Sequence, residues 1–435
     1  MKKILFITTF FYPQNRIPTI RVGQWVKYLA LNGYEVTVLT TKKYSFMGPF
    51  GLDVKLPNNV KVVEIDFLPI FLKKRLYKKP SSEIKKEVSI SNKTNNLKLF
   101  VRKIRNYMGS LFDIHDLWIK PALKKAIELQ EKEKFDFIIS SYSPPAVCVV
   151  SHKLKQKYPN LKWIADFRDL WAYNHISPAK GILGVYEKYK EKKLLSNADK
   201  IITVSNPLTE DMKKVYPNKK VYTIENGFDP DEFSNWQKNI NSIPKVGKKL
   251  VISYLGTIYP EKRDPTILFE AVNELIEENK IKEEQIEINF YGDNKKQLED
   301  IIQPNNFNKF NIINIKGFIK REESLKIQKQ SDLLLLLEWN DPSARGVLTG
   351  KLFEYIVSGT PIVAVSISNK NAAGELIEKT QTGKLYLDKD SLKQDLLKIF
   401  ETNKIDFFNP KIEEIEKFSR DKQIKKLIET MEDRC

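Results

Sequence analysis

The first 40 residues alternate between short apolar runs and helical periodicity. Residues 3–9 predict a buried strand, and residues 35–40 predict a second one. Between them, residues 19–32 carry apolar side chains at helical spacing, and Gly33 is placed to end that helix as its C-cap. A strand, a helix and a second strand in this order form one crossover of a parallel sheet. The pattern therefore predicts a doubly wound α/β fold.

The same alternation continues in two series separated by a polar stretch. In the first series, residues 184–197 predict a charged helix. Between the two series, residues 235–249 lack periodicity and are rich in Asn, Lys and Ser, which is typical of a linker. A chain of 435 residues suits two domains better than a single core. We therefore predict two Rossmann-like domains, over residues 1–238 and 249–410, and a charged C-terminal helix over 411–435. Ligands of such sheets bind beyond the C-terminal strand ends, so a cleft between the domains is the expected site.

An excess of positive charge favours anionic partners. The formal net charge is +18, from 73 Lys and Arg against 55 Asp and Glu, which suits nucleic acid, an anionic membrane or phosphorylated substrates. No nucleic-acid recognition motif is present, so we expect no nucleic-acid partner. A basic stretch within residues 73–108 leads into a helical pattern that suits an anionic membrane surface. The alternatives are a helix packed on its own domain with a solvated basic face, and a charge that reflects only Lys-rich composition.

Cysteine usage and hydropathy bear on the compartment. Only Cys148 and Cys435 occur, without metal-ligand spacing or a disulfide framework, which fits a reducing compartment. The first apolar run stops at Thr8-Thr9 with no signal-peptide cleavage site, and no window has the roughly 18 apolar residues of a membrane-spanning helix. We expect a cytoplasmic protein, peripheral on the inner face of the plasma membrane.

The loop after the first strand of the second series suits a diphosphate. Gly256 lets a ligand approach the backbone closely, while Lys262 and Arg263 add fixed positive charge at the same place. The alternative is a surface turn with an exposed Lys-Arg pair.

A second glycine-rich loop, residues 346–350, precedes a helix that Gly359 ends. The free N–H groups at this helix start, near Lys351, form an anion site. Glu354 lies one turn into the helix, where its carboxylate can accept both hydroxyls of a ribose. The alternative is a solvent-facing helix charge, and the glycine-rich approach favours the ribose role.

An acidic loop follows a buried strand in the first series. Asp166 and Asp169 flank Arg168 beside aromatic residues, an arrangement that can orient an acceptor hydroxyl or stabilise positive charge on a sugar. The alternative is a structural Asp–Arg pair. His175 is close enough in sequence to be an acceptor-site candidate. The histidines lack ligand spacing and residues 229–231 are interpreted as a turn, so we expect no metal and no other cofactor.

Eight segments resemble motifs of family 4 of the retaining glycosyltransferases. The resemblance covers roughly residues 1–400, and residues 168–171 are similar to an "RDLW" segment in a bacterial surface-polysaccharide branch of that family. In chain order, the matching segments are Gly33–Val38, Ala198–Ser205, Asn226–Asp229, Tyr254–Thr257, Gly292–Asp293, Gly317–Phe318, Lys351–Tyr355 and Ser358–Val363.

This resemblance implies a GT-B fold, in which two doubly wound Rossmann-like domains face a central cleft and the C-terminal helix returns to the N-terminal domain. It implies transfer with retention from a nucleotide-diphosphate sugar, in cell-surface polysaccharide biosynthesis. The basic stretch within residues 73–108 indicates a lipid-linked saccharide or oligosaccharide as the acceptor. A UDP-sugar is favoured as donor, and a GDP-sugar is second. The implied catalytic residues are Asp169, Arg263 and Glu354.

The remaining site residues follow from the same resemblance. Arg263 matches the basic residue at the donor diphosphate, Glu354 matches the glutamate that holds the ribose, and residues 317–319 match the turn that contacts the base. The implied donor site comprises Gly256, Thr257, Lys262, Arg263, Gly292, Gly317, Phe318, Ile319, Gly346, Val347, Leu348, Thr349, Lys351 and Glu354. The acceptor site comprises Arg16, Ile17, Arg21, Tyr142, Arg168, Asp169 and His175.

Three positions depart from the family pattern. Gly346 stands where many members carry a glutamate that contacts the donor sugar, Thr257 stands where an arginine is common, and residues 16–19 replace a Gly-Gly loop. The missing arginine leaves the diphosphate to Arg263, with Lys262 or Lys351. These departures keep an alternative open: an epimerase-like enzyme, or a non-catalytic protein that binds nucleotide sugars.

Overall fold

The described residues of the computed structural model form two compact units. One is Met1–Ile224 together with Ile424–Cys435, and the other is Glu225–Gln423. The first unit thus ends earlier along the chain than the predicted boundary at residue 238. The predicted basic segment 73–108, apart from Lys73, and His175 lie outside the described residues. The structure describes residues 1–52, 54–70, 73, 113–174, 179–240, 246–259, 262–368 and 371–432.

The first unit is built on a parallel sheet. Seven described strands form it: β1 (Lys3–Ile7), β2 (Glu35–Thr41), β3 (Val60–Ile65), β4 (Phe137–Tyr142), β5 (Lys162–Phe167), β6 (Lys200–Thr203) and β7 (Lys220–Thr223). Their order across the sheet is β3-β2-β1-β4-β5-β6-β7, and Ile4 of β1 pairs with Val36 on one side and Phe137 on the other. Residues 4–7 are fully buried, because helices cover both faces of a sheet of this kind.

Helices of the first unit connect successive strands. Gly33, with φ of +86°, follows the end of the first of them, as its predicted C-cap role requires. The described helices are α1 (Ile17–Leu31), α2 (Asp116–Glu133), α3 (Ala146–Lys157), α4 (Gly181–Leu195) and α5 (Asn206–Val215).

The second unit repeats this plan with a six-stranded parallel sheet. Its described strands are β8 (Leu250–Leu255), β9 (Ile286–Tyr291), β10 (Ile313–Gly317), β11 (Leu333–Leu337), β12 (Ile362–Val365) and β13 (Gly383–Tyr386), in the order β10-β9-β8-β11-β12-β13. The described helices that follow the first unit's are α6 (Trp236–Ile240), α7 (Thr266–Glu277), α8 (Lys295–Ile302), α9 (Arg321–Gln330), α10 (Gly350–Ser358), α11 (Ala372–Thr380), α12 (Lys389–Thr402), α13 (Ile412–Glu416) and α14 (Arg420–Met431). The doubly wound prediction is confirmed for both units.

The last helix, α14, belongs to both units. From Ile424 onward it joins the first unit, where Ile424, Leu427 and Met431 pack in one apolar cluster with Ile4 and residues around it. The predicted return of the C-terminal helix to the N-terminal domain is confirmed.

Each sheet has one point where the strand order reverses direction. In the first unit it lies between β1 and β4, and in the second unit between β8 and β11. Loops that leave the two strands at such a point diverge and open a crevice at their carboxyl ends, where ligands of doubly wound sheets bind. A ligand site is therefore expected among the residues that follow these four strands.

Candidate functional site

At the reversal point of the second unit, Arg263 is held against two aromatic rings. Its guanidinium carbon lies 5.4 Å from the ring centroids of both Tyr259 and Trp339, and these rings stack with centroids 5.5 Å apart. Arg263 Nη1 donates to the Thr257 carbonyl at 3.4 Å, while its Nε is buried without a hydrogen-bond partner among the described residues. A rigidly held guanidinium with an unsatisfied donor is suited to bind an anion.

Lys351 brings a second positive charge to the same loop. It lies in the first turn of α10, and a Cβ built on Gly256 would lie 2.1 Å from its Nζ, so the ammonium group fills the space that the glycine leaves. Burial lowers the pKa of Lys351 to about 8, and repulsion from Arg263 adds to the effect, while Glu354 opposes it. Two cations and the free N–H groups of a helix start therefore converge beside Gly256.

Glu338 is a residue that the sequence analysis missed. It follows β11 directly and is only 4% exposed. Burial raises its pKa to about 7, while the nearby Arg263 charge acts in the opposite direction. The signal for it was present in the sequence, because an acidic residue directly after five consecutive leucines falls at a strand end, where ligands bind.

Glu354 lies in a network of polar side chains. Its Oε1 accepts from Arg321 Nη1 at 2.8 Å, and its Oε2 accepts from Gln328 Nε2 at 3.3 Å. Arg321, which the sequence analysis also missed, donates two further hydrogen bonds to Glu232 at 2.8 and 2.9 Å. Each carboxylate oxygen of Glu354 keeps a second lone pair for a ribose hydroxyl. The network fixes the orientation of the carboxylate, which the sequence interpretation required but could not show.

The glycine turns of the donor prediction lie side by side at the carboxyl ends of neighbouring strands. Gly292 has φ of +135° and donates its N–H to the Gly317 carbonyl at 2.8 Å, and the Gly256 N–H donates to the Tyr291 carbonyl at 2.9 Å. Gly317 has φ of +78°, and Phe318 after it is 82% exposed. The exposed ring beside bare backbone suits contact with a flat base.

The second glycine-rich loop also lies at this end of the sheet. The Val347 N–H donates to the Ala344 carbonyl at 2.9 Å, and Asn226 Nδ2 donates to the Leu348 carbonyl at 3.3 Å. Thr349 is the N-cap of α10 without capping through its side chain. The predicted donor residues of the second unit, which include Ile319 and Gly346, therefore come from the loops after β8, β9, β10 and β11, from the last residue of β10 and from α10.

We expect the affinity of this site for a nucleoside diphosphate to fall between pH 6.5 and 9. Glu338 gains negative charge as the pH rises through about 7, and Lys351 loses positive charge as it rises through about 8. We expect each of these two titrations to lower the affinity roughly tenfold, because both groups lie close to Arg263, where the diphosphate is expected to bind. Calorimetric titrations should show the lower step lost in Glu338→Gln and the upper step lost in Lys351→Arg. An identical pH profile in wild type and both variants would contradict this expectation.

In the first unit, Arg21 has a structural role. Arg21 and Asp166 are 2% and 0% exposed, and Arg21 Nη2 donates to Asp166 Oδ1 at 2.9 Å and to the Ile224 carbonyl at 3.0 Å. Ser141 Oγ also donates to Asp166, at 2.9 Å. This corrects the prediction that Arg21 contacts an acceptor, because its guanidinium is buried and occupied. The structural Asp–Arg pair that the sequence left open exists, with Arg21 as the partner of Asp166.

The other predicted acceptor residues differ in accessibility. Asp169 has a half-exposed side chain, and Arg168 lies beside it with Nη1 at 3.5 Å from Asp169 Oδ2 and with Nε donating to the Tyr142 carbonyl at 3.1 Å. Tyr142 itself is buried in a stack with Phe167, centroids 5.1 Å apart, so its ring supports the loop and does not contact an acceptor, which corrects that prediction. Ile17 is exposed at the start of α1.

Arg16 precedes Ile17 and is exposed as well. Its Nη2 donates to the Gly48 carbonyl at 3.1 Å. The structure therefore leaves Arg16, Ile17 and Asp169 accessible among the described acceptor residues, while Arg168 is mostly buried.

Two buried glutamates of α4 hold the loop that carries Asp169. Glu187 accepts from Trp171 Nε1 at 2.9 Å, and Glu191 accepts from the Ala172 N–H at 2.6 Å and from the Tyr216 hydroxyl at 2.5 Å. Burial raises the pKa of Glu191 to about 7; the bonds from Tyr216 and Ala172 oppose this effect, and the charge of Glu187 adds to it. The loop is thus anchored from within the core.

The raised pKa of Glu191 predicts that the first unit loses stability as the pH rises. A carboxyl group whose pKa is higher in the folded state stabilises that state below its unfolded value of 4.5, and the contribution is lost as the pH passes 7. The loss is about 3 kcal/mol in the free energy of unfolding. Glu191→Gln should flatten this part of the profile in chemical denaturation, whereas the exposed Glu128→Gln should leave it unchanged. A profile that Glu191→Gln does not alter would refute the assignment.

The described residues contain no group of three or more His, Cys, Asp or Glu side chains placed to hold a metal ion. Within the same parts of the chain, no helix combines the length and the apolar character needed to cross a bilayer. The predicted absence of a metal cofactor stays a prediction.

Comparison with protein-family models yields two matches. Residues 94–232 match the model of Glycosyltransferase Family 4, and residues 249–402 match the model of Glycosyl transferases group 1. Together the matches cover well over half of the chain. No curated protein sequence matches it.

Many solved structures share the fold. A sucrose-phosphate synthase from Thermosynechococcus elongatus is 14% identical with a TM-score of 0.65, and each chain is covered completely. An E. coli trehalose-6-phosphate structure bound with UDP-2-fluoro glucose is 12% identical, with a TM-score of 0.62 and 99% of both chains covered. WaaG, a glycosyltransferase involved in lipopolysaccharide biosynthesis, is 11% identical with a TM-score of 0.55, covering 98% of this chain and 99% of WaaG. At these identities the likeness concerns the fold, and it confirms the predicted GT-B class.

Proposed function

We propose that this chain is a glycosyltransferase of the family 4 type and that it transfers a sugar with retention from a nucleotide-diphosphate sugar to a lipid-linked saccharide. One observation carries the proposal. Arg263, Lys351 and the start of α10 converge beside Gly256 at the reversal point of the second sheet. This concentration of positive charge is suited to a departing diphosphate.

The donor would bind to the second unit in a defined order along the strand ends. Arg263 and Lys351 take the diphosphate, Glu354 accepts the ribose hydroxyls, and the turn at 317–319 meets the base. In the reaction, the bond between the sugar C1 and the diphosphate oxygen breaks, and the cations stabilise the negative charge that develops on the leaving group. No metal or other cofactor is required by this scheme, because fixed protein cations neutralise the diphosphate.

A UDP-sugar is the favoured donor and a GDP-sugar the second choice. The fold relative bound with UDP-2-fluoro glucose supports this preference. The turn at Gly317 offers backbone groups and an exposed Phe318 ring to the base.

The acceptor is assigned to the first unit. Asp169 is the accessible carboxylate of its loop, beside Arg168, and we assign to it the role of orienting the attacking hydroxyl. That hydroxyl oxygen forms its bond to C1 on the face from which the diphosphate leaves, and its proton passes to the departing diphosphate. A lipid-linked saccharide in cell-surface polysaccharide biosynthesis is supported by the basic charge of the chain and by the fold shared with WaaG. The same role places the protein in the cytoplasm on the inner face of the plasma membrane.

A calorimetric comparison of nucleotides tests the donor site. Purified protein is titrated with UDP, GDP and ADP, and the titration is repeated with Glu354→Ala and Arg263→Ala. We expect one nucleotide to bind more tightly than the others, with affinity reduced at least tenfold in both variants. Absence of binding by all three nucleotides would refute the donor site.

A second function is favoured by one observation, the glycine at position 346. Gly346 stands where many family members contact the donor sugar with a glutamate, so an epimerase-like enzyme or a non-catalytic nucleotide-sugar-binding protein is the alternative. Release of free nucleotide that depends on an added saccharide acceptor supports transfer. Nucleotide binding with no acceptor-dependent release would favour the alternative.

A further inference from the structure

Helix α4 has two faces of opposite character. Its inward face carries Glu187 and Glu191, which are 1% and 0% exposed. Its outward face carries a row of apolar and aromatic side chains one helical turn apart, which are Ile182, Val185, Tyr186 and Tyr189, exposed by 84%, 70%, 54% and 61%. Large apolar side chains scattered singly on a surface are ordinary, but four on one helix face form a patch that indicates a binding surface.

The charged side chains that α4 exposes have one sign. Both acidic residues of α4 are buried, so these side chains are Lys188, Lys192 and Lys193, with Lys190 partly exposed. Helix α3, which packs beside α4, contains no acidic residue, but its Lys155 and Lys157 are paired with Asp199 and Glu131. The positive charge of the surface therefore comes from the lysines of α4, which no exposed acidic residue of that helix offsets.

We propose that the outward face of α4 docks on an anionic phospholipid bilayer. The aliphatic side chains of Ile182 and Val185 enter the acyl boundary, and the two tyrosine rings lie at headgroup level with their hydroxyls toward water. The lysines extend to the phosphates. This surface is separate from the basic segment predicted at 73–108, most of which lies outside the described residues.

The charge pattern argues for a bilayer over a second copy of the chain. In a two-fold contact the same face meets itself, so lysines of one copy would lie against lysines of the other, which is repulsive. The patch is also confined to one helix of 15 residues, smaller than the surface that a stable protein–protein interface buries. An anionic bilayer complements both the apolar row and the lysines without a matching shape.

Docking through α4 has a consequence for the acceptor loop, and this step rests on the proposed function. The inward glutamates of the same helix bind Trp171 and Ala172, which follow Asp169 in that loop. One helix thus contacts the bilayer with one face and positions the acceptor loop with the other. A lipid-linked acceptor would then meet Asp169 close to the membrane surface in which its lipid is anchored.

Sedimentation with vesicles tests the docking surface. The full chain is mixed with phosphatidylcholine vesicles that contain or lack the anionic lipid phosphatidylglycerol, whose negative surface potential attracts lysines. We expect binding that requires the anionic lipid, and we expect Val185→Gln with Tyr189→Gln to weaken it about tenfold. The control, Leu31→Gln, removes an exposed apolar side chain from α1 and should bind as wild type. Unchanged binding by the α4 variant would overturn the proposal.

A local probe separates this surface from other basic regions. In a Cys435→Ser background, an environment-sensitive dye is attached to Val185→Cys or, as the control, to Leu31→Cys; Cys148 is buried. Anionic vesicles should shift the emission to the blue only for the dye at position 185. If the protein sediments with vesicles without that shift, the proposal is overturned and another segment binds the vesicles. If wild type self-associates and the α4 variant does not, the face binds a second copy of the chain, which also overturns the proposal.

A charge variant completes the test. Lys192→Gln with Lys193→Gln should weaken sedimentation several-fold, since each lysine near the surface contributes separately, whereas Lys295→Gln with Lys296→Gln on α8 should not. Calorimetric nucleotide binding should be unchanged in all α4 variants. If wild type binds nucleotide but not vesicles, the docking proposal fails and the proposed transferase function does not. If wild type binds vesicles but no nucleotide, the proposed function fails and the docking proposal does not.

Discussion

Replacing Arg263 with alanine is expected to lower the rate of sugar transfer about a hundredfold to a thousandfold. The guanidinium is held against Tyr259 and Trp339 with a buried Nε that has no partner among the described residues. The guanidinium is therefore preorganised to bind the leaving diphosphate, whose negative charge increases in the transition state. The measurement is the steady-state release of nucleotide in the presence of acceptor.

Two further variants make this expectation specific. Lys262 is the neighbouring cation, but its Nζ lies 5.2 Å from the centroid of the Trp339 ring, so Lys262→Ala should lower the rate only a few-fold. Arg263→Lys keeps the charge but loses the planar donor pair, and its rate should fall between wild type and alanine. A larger loss in Lys262→Ala than in Arg263→Ala would move the diphosphate contact to Lys262.

The sequence predicts the two sheets because their strands are buried on both faces and alternate with helices. The boundary between the units is less well predicted. The "NG" segment at 226–227 joins the second unit, where a Cβ on Gly227 would lie 2.0 Å from the carbonyl oxygen of Phe418 and the Phe228 N–H donates to that carbonyl. A contact between residues so far apart in sequence leaves no local pattern, so the sequence predicts the linker at the polar stretch that follows.

In the candidate site too, features set by neighbouring residues are predicted from the sequence, whereas contacts between residues far apart in the chain are not. Glycines at strand ends and the start of α10 follow from local pattern, and the structure brings them together. The partner of Arg21 is Asp166, 145 positions away, and no spacing rule connects them. The sequence therefore assigns Arg21 to the acceptor site, whereas in the structure it is a buried structural cation.

Helix α4 shows how a local pattern can be correct and still leave the roles of the two helix faces undetermined. Residues 184–197 predict a charged helix, and the structure separates its charges by sign. Glu187 and Glu191 are four residues apart and share one face, which is buried, while the exposed lysines share the other face with the apolar row. The periodicity gives the two faces, but only the packed structure shows which of them is covered.

Substituting Gly292 with alanine is expected to lower the free energy of unfolding of the second unit by about 3 kcal/mol or more. Its φ of +135° is a conformation that L side chains rarely adopt, and an added Cβ would lie 2.2 Å from the carbonyl oxygen of Gly256. Backbone cannot move aside as a flexible side chain can. Relief of the clash would displace the loop that carries Gly256 and with it Arg263, so nucleotide affinity should fall together with stability.

Gly317→Ala is the matched control, because it separates backbone conformation from steric clash. Gly317 also has a positive φ, of +78°, but a Cβ there would meet nothing within 4 Å. Only the conformational cost remains, which is about 1 kcal/mol. Chemical denaturation of both variants measures the difference, and equal destabilisation would show that φ alone is responsible. A larger loss in Gly292→Ala, with weaker nucleotide binding, would mean that the contact between the turns after β8 and β9 holds the diphosphate loop in place.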